Sequence, residues 1–306
     1  MLKPSFEHLS HAGRMVLLLF VILICLLISS LSGLLAGMIF WGTDIIALLT
    51  TADVNNLNYI AAAKFTQIIS HLGIFTISAL LFASVNSANT WIYLGLDQKP
   101  KIQATIVTIV LIFVVSPWIG YVYDINQAMQ LPDFLAGVQQ WMKNSEETAT
   151  RLTEGFLNNP SVGGFIVNIL MIGIIPAIGE ELLFRGVIQK LFGQWTGNIH
   201  IAIIISALLF SAMHLQFFGF FPRFALGLLF GYLFYWTGSL WLPILAHFIN
   251  NTMAVVVAYF YEQGLTATNA EDFGKTDNLF FVVLSVVITA ALCFFLYRQR
   301  SITDPG

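Results

Sequence analysis

Residues 165–187 read FIVNILMIGIIPAIGEELLFRGV. A membrane-crossing helix needs about 20 mostly apolar residues, and this run meets that length while carrying Glu180, Glu181 and Arg185 in its last third. A span that keeps three ionisable side chains must turn them away from lipid, so the stretch predicts a helix packed inside a bundle of other spans. The rest of the chain supplies such a bundle. Of its 306 residues, 58% are hydrophobic and only 9% are charged, against roughly 25% charged in soluble domains. Candidate spans lie at 15–41, 60–86, 102–122, 163–188, 199–217, 222–238, 240–260 and 279–297, the second of them interrupted by Lys64 and His71. The fold expected is all-α: a polytopic transmembrane helical bundle of about eight spans, embedded in a lipid bilayer.

Loop charge orients that bundle. Lys3 and Arg14 precede the first span, Lys99 and Lys101 lie between the second and third, Lys190 follows the fourth, and Arg298 and Arg300 follow the last. With eight spans these stretches share one side, and the positive-inside rule makes both termini cytoplasmic. The segments facing them are acid-rich, with Asp44 and Asp53 in one and Glu262, Glu271, Asp272 and Asp277 against Lys275 in the other. The first apolar run is longer than the 7–15 residues of a secretory h-region, so it is read as an uncleaved anchor. Cys25 and Cys293 both fall inside apolar runs, which speaks for packing rather than a disulfide framework or thiolate metal site. A net charge of −3 gives no reason to expect a nucleic-acid partner.

Three regions follow: 1–159, N-terminal spans with an outer-face segment; 160–260, a core holding the polar motifs; and 261–306, an outer loop, the last span and a basic tail. In the segment 123–162, Leu135, Val138, Met142, Ala149, Leu152 and Phe156 recur at near-helical spacing. They predict an amphipathic helix, either a solvated connector or a cover over the substrate path. The pairs Gly33/Gly37 and Gly227/Gly231 suit close helix packing within the chain. His8 and His11, near the start, are expected in solvent.

Helix geometry separates the charges of the opening stretch. Glu181 and Arg185 are four residues apart, about 40° around a 3.6-residue helix, whereas Glu180 lies about 140° from Arg185. Glu181 N-terminal to Arg185 is the favourable order for an ion pair, so Glu180 is left as the less neutralised acid and the candidate general base. Two later spans carry polar residues on one face each: Ser206, Phe210 and His214, then Pro243, His247 and Asn251. A carboxylate and an imidazole can hold and deprotonate a water, while a second imidazole and an amide N–H donate to a developing oxyanion. The same donors, Glu180, His214 and His247, are also the set that would ligate Zn²⁺ or another divalent ion if one is bound. No HExxH motif is present, and no cofactor is otherwise implied.

These residues resemble a known family. EELLFRG at 180–186, FSAMH at 210–214 and HFINN at 247–251 are similar to the EExxxR, FxxxH and HxxxN/D motifs of the CPBP family. That family comprises the type II CAAX prenyl endopeptidases and bacterial relatives linked to bacteriocin processing and self-immunity. The resemblance covers about residues 160–260. It implies an intramembrane endopeptidase, named a metalloprotease by custom, of the bacterial inner membrane, acting on a peptide or membrane-protein substrate. By the same resemblance Glu180 activates water, His214 assists it, and His247 and Asn251 stabilise the oxyanion. Glu181, Arg185 and Phe210 support them.

One expectation conflicts with this assignment. If the fourth span starts near 163 and the fifth near 199 on the opposite side, Glu180 lies ~25 Å and His214 ~22 Å along antiparallel helices, at 1.5 Å per residue. Straight spans would separate them, so a bend at Pro176, with Gly173 and Gly179, is expected. The alternatives from other classes are a transporter or channel lined by the polar residues, and a catalytically idle immunity or scaffold protein. The paired halves common in transporters are not visible.

Overall fold

A computed structural model describes residues 9–159, 161–270 and 272–300; Lys3, His8, Pro160, Glu271 and the residues after 300 lie outside the described residues. Within it the elements are helical throughout: α1 (His11–Trp41), α2 (Asp44–Thr51), α3 (Leu57–Asn86), α4 (Thr90–Leu94), α5 (Ile102–Gln127), α6 (Ala136–Leu157), α7 (Val162–Thr196), α8 (Ile199–Ala212), α9 (Phe220–Thr237), α10 (Trp241–Glu262) and α11 (Leu279–Arg298). Seven of these, α1, α3, α5, α7, α9, α10 and α11, are long and apolar enough to cross a membrane. The expected fifth span is shorter than anticipated: α8 has 14 residues, a rise of ~21 Å.

The fourth span differs in the other direction. Its helix runs 35 residues, Val162–Thr196, eight beyond the apolar run, because Gln189–Thr196 is amphipathic and buries Leu191. Gly197, at φ 65°, closes it, and Asn198 accepts the N–H groups of His200 and Ile201 to open α8. A left-handed glycine followed at once by an Asn cap reverses the chain with no loop to spare. Both helices can therefore be measured from one turn. Glu180 lies 16 residues before Thr196 and His214 lies 15 after Ile199, heights of ~24 Å and ~22 Å at 1.5 Å per residue. The conflict in depth came from ending the fourth span too early.

Three π-helical segments interrupt the spans: Leu72–Ile77 in α3, and Ile169–Ile174 and Phe184–Ile188 in α7. The middle one prepares for Pro176, which has no N–H to give the carbonyl four residues back, that of Ile172. The expected disturbance at Pro176 thus takes the form of π-helix inside a continuous helix.

The basic stretches gather at one end of the bundle. Arg14 Nη1 donates to Gln194 Oε1 at 3.2 Å, Lys190 Nζ bonds the Tyr93 carbonyl, Leu240 N–H donates to Gly95 O at 3.0 Å, and Gln299 Nε2 donates to Gln103 Oε1 at 3.3 Å. The start of α1 and the end of α11 therefore share an end. At the other end the expected amphipathic helix is α6, although α5 takes up the first residues of that segment and Val138 stays 45% exposed. Its last turn docks: Phe156 is buried against Tyr59, Ile60 and Met171, and its carbonyl accepts Lys64 Nζ at 2.7 Å and Asn168 Nδ2 at 2.9 Å.

Two further apolar clusters fill the interior. One joins α3, α7, α8 and α10 through Phe82, Leu183, Phe210 and Ile244; the other joins α5, α9, α10 and α11 through Leu111, Phe230, Leu242 and Leu296. The glycine pairs pack within the chain as expected. Gly33 meets Ile69 of α3, while Gly227 and Gly231 lie against Ala207 and Ile203 of α8.

Candidate active site

The charges of α7 meet where the two clusters adjoin. Arg185 is fully buried and donates from Nη1 to Glu181 Oε1 at 2.7 Å and from Nη2 to the Gly227 carbonyl at 2.9 Å. Its guanidinium also sits 4.6 Å from the centre of the Phe210 ring and 5.4 Å from that of Phe230. Glycine at 227 leaves that carbonyl open to a side chain from α7, and one turn on the Gly231 carbonyl accepts Gln189 Nε2 in the same way at 3.2 Å.

Glu181 has a second partner. His247 Nδ1 donates to the same Oε1 at 2.8 Å, so the carboxylate both neutralises Arg185 and fixes the imidazole of α10. Phe230 stacks on that imidazole at 5.3 Å, and Phe210 meets it edge-on at 5.7 Å. With Nδ1–H committed, His247 turns Nε2 toward Glu180, 3.9 Å from its Oε2.

Glu180 is 5% exposed, and its Oε2 has no hydrogen-bond partner among the described residues. The other face of its carboxylate meets His71 of α3, whose Nε2 is 3.6 Å from Oε1 and is likewise buried and unpartnered. Asn251, one turn beyond His247, donates from Nδ2 to Ile172 O at 3.0 Å, the acceptor released by Pro176. This leaves the second N–H of the amide uncommitted by that bond.

His214 lies just past the end of α8. Leu215 follows it at φ 52°, a left-handed conformation that costs a non-glycine residue about 1–2 kcal/mol and stops the helix there. The His214 Nδ1 bonds the Phe210 carbonyl at 2.9 Å, leaving Nε2 as the acceptor. Arg223 of α9 stands near both His214 and Glu180. The imidazoles within 4 Å of the Glu180 carboxylate, among the described residues, are nonetheless His71 and His247. Glu180, His214 and His247 do not fit a metal site, because no three His, Cys, Asp or Glu among the described residues are arranged to hold an ion.

Two residues near these groups escaped sequence reasoning: His71, read only as an interruption of the second span, and Arg223, whose guanidinium bonds Gln216 O at 2.9 Å and Gln216 Oε1 at 2.6 Å. Each is an ionisable residue within a spanning helix, the signal that singled out Glu180.

Comparison with known proteins converges on the same helices. Residues 162–253 match the family described as Type II CAAX prenyl endopeptidase Rce1-like. This segment resembles the Rce1-like family. It extends from the start of α7 to the fourth turn of α10, and so carries Glu180, Glu181, Arg185, His214, His247 and Asn251, but not His71. The chain is similar to the Uncharacterized protein YpbD of Bacillus subtilis (strain 168), 35% identical over 88 residues, or 28% of this chain and 42% of that protein. It is also similar to the Membrane-embedded CAAX protease MroQ of Staphylococcus aureus (strain USA300), 34% identical over 112 residues, 34% of this chain and 45% of that one. The matches thus span less than half the length of these relatives. No solved structure matches the chain significantly. The apolar helices and the membrane-embedded relative together mark an integral membrane protein.

Proposed function

We propose that this protein is an intramembrane endopeptidase of the bacterial inner membrane that hydrolyses peptide bonds with a water activated by Glu180. The observation that carries this reading is the division of labour between adjacent glutamates. Glu181 is held by Arg185 and His247, while Glu180 Oε2 is buried without a partner beside the His247 Nε2. An acid placed this way can take a proton from water as the oxygen attacks a carbonyl carbon. The oxyanion then forms within reach of two donors, His247 Nε2 in the doubly protonated ring and the remaining Asn251 N–H. Collapse breaks the C–N bond, and Glu180 returns its proton to the leaving amine. His214, just past the end of α8, has its Nε2 available to the water or the substrate.

The Rce1-like segment and the name of MroQ, a CAAX protease, support a proteolytic activity; a peptide or membrane-protein segment entering from the bilayer is the substrate. By the excess of Lys and Arg, the end bearing Arg14, Lys190 and Arg298 faces the cytoplasm. Purified protein in vesicles, incubated with a pool of synthetic transmembrane peptides and read by mass spectrometry for new termini, tests the activity. Glu180→Gln should abolish cleavage with the melting temperature unchanged. Equal cleavage by this variant would remove Glu180 from the role of base.

A further inference from the structure

The three motifs of the Rce1-like segment leave one group beside the base unexplained. His71 comes from α3, nearly a hundred residues before the matched segment, yet its Nε2 lies 3.6 Å from Glu180 Oε1. The approach is built rather than incidental. Gly179, immediately before Glu180, lets α3 and α7 close on each other, since a methyl there would sit 3.0 Å from Phe75 Cβ and 3.4 Å from the Thr76 backbone nitrogen. The π-helical turn Leu72–Ile77 starts directly after His71, at the kind of helix irregularity frequent in functional sites. Phe75 lies against the imidazole, ring centres 4.3 Å apart, and against Phe184 of α7 at 6.5 Å, which holds the ring facing the carboxylate. A buried imidazole nitrogen without a protein partner is costly unless something else satisfies it. A gap of 3.6 Å is too long for a good direct hydrogen bond, but one water can contact both atoms.

We propose that His71 is a catalytic residue of this site, its Nε2 accepting the second hydrogen of the water that Glu180 deprotonates. With one hydrogen given to each, the oxygen lone pairs are turned toward the substrate carbonyl. Glu180 takes the transferred proton and later gives it to the leaving amine; His71 neither gains nor loses one. The family pattern gives this second hold to a histidine of the FxxxH motif, here His214. In this chain the nitrogen nearest the base belongs to the N-terminal helices, so the Rce1-like segment is not complete without α3.

This inference rests on the hydrolytic reading, and the experiment separates the two. Peptides whose cleavage disappears in Glu180→Gln serve as probes in the vesicle assay, with the full-length chain throughout. His71→Gln keeps a polar group near the position of Nε2, whereas His71→Asn is too short to reach it. His71→Asn should lower kcat roughly 100-fold, the low end for a positioned acid–base group, with KM little changed, and His71→Gln should recover a large part of the loss. Melting temperatures of the two variants, measured together, check that the difference is not one of folding. Equal rates for His71→Asn and His71→Gln, with Glu180→Gln inactive, would overturn the role of His71 and leave the protease standing. If no peptide depends on Glu180, both readings fall.

Discussion

Arg185 shows how one buried cation organises several groups at once. It is fully buried and bound to Glu181 and the Gly227 carbonyl, and Glu181 in turn holds His247. Removing one member of such a pair leaves an uncompensated charge and costs about 3–5 kcal/mol. Arg185→Met should therefore lower stability by about that amount in a denaturant titration in detergent. Arg185→Lys should fall between, because an ammonium lacks the fork that serves two acceptors. A melting curve for Arg185→Met matching that of the parent would show the pair to be dispensable. The spacing of Glu181 and Arg185 made their pairing legible; the His247 bond to the same oxygen was not, because it joins residues 66 positions apart.

Among the elements, the spans themselves were the most legible feature, since hydropathy reads length and polarity directly. The irregularities inside them were not. A π-helical turn has no hydropathy signature, and the amphipathic end of α7 fell below the threshold of an apolar run. Pro176 carries a prediction at this scale. Its missing N–H leaves Ile172 O to Asn251 Nδ2; Pro176→Ala would supply a backbone donor and set the amide free to turn. Misplacing one group by about 1 Å can cost 100-fold in rate, so cleavage should drop by roughly 10-fold to 100-fold while the melting temperature holds or rises. Parent-level cleavage by Pro176→Ala would mean that Asn251 is not positioned by this carbonyl.

For the whole molecule, the gathering of Arg14, Lys190 and Arg298 at one end of the bundle makes a prediction about sidedness. In a chain with Cys25 and Cys293 replaced by Ala, single cysteines at the exposed Gly197 and Gly238 should react with a membrane-impermeant thiol reagent from the same side. Cysteines at Asn158 and Gly264 should react from the other. Labelling of Gly197 and Gly238 from opposite sides would contradict the antiparallel return of α8 and α9, which His200 Nδ1 and Tyr232 Oη mark with a 3.0 Å contact. The sequence by itself determined that the chain is an all-helical membrane bundle and which intramembrane charges are too costly to be idle, because hydropathy and the expense of buried charge are local properties. Tertiary structure alone decided which partner each charge has. It brought His71 to Glu180 and His247 to Glu181, since contacts between distant helices depend on where each helix ends and how closely its glycines let a neighbour approach.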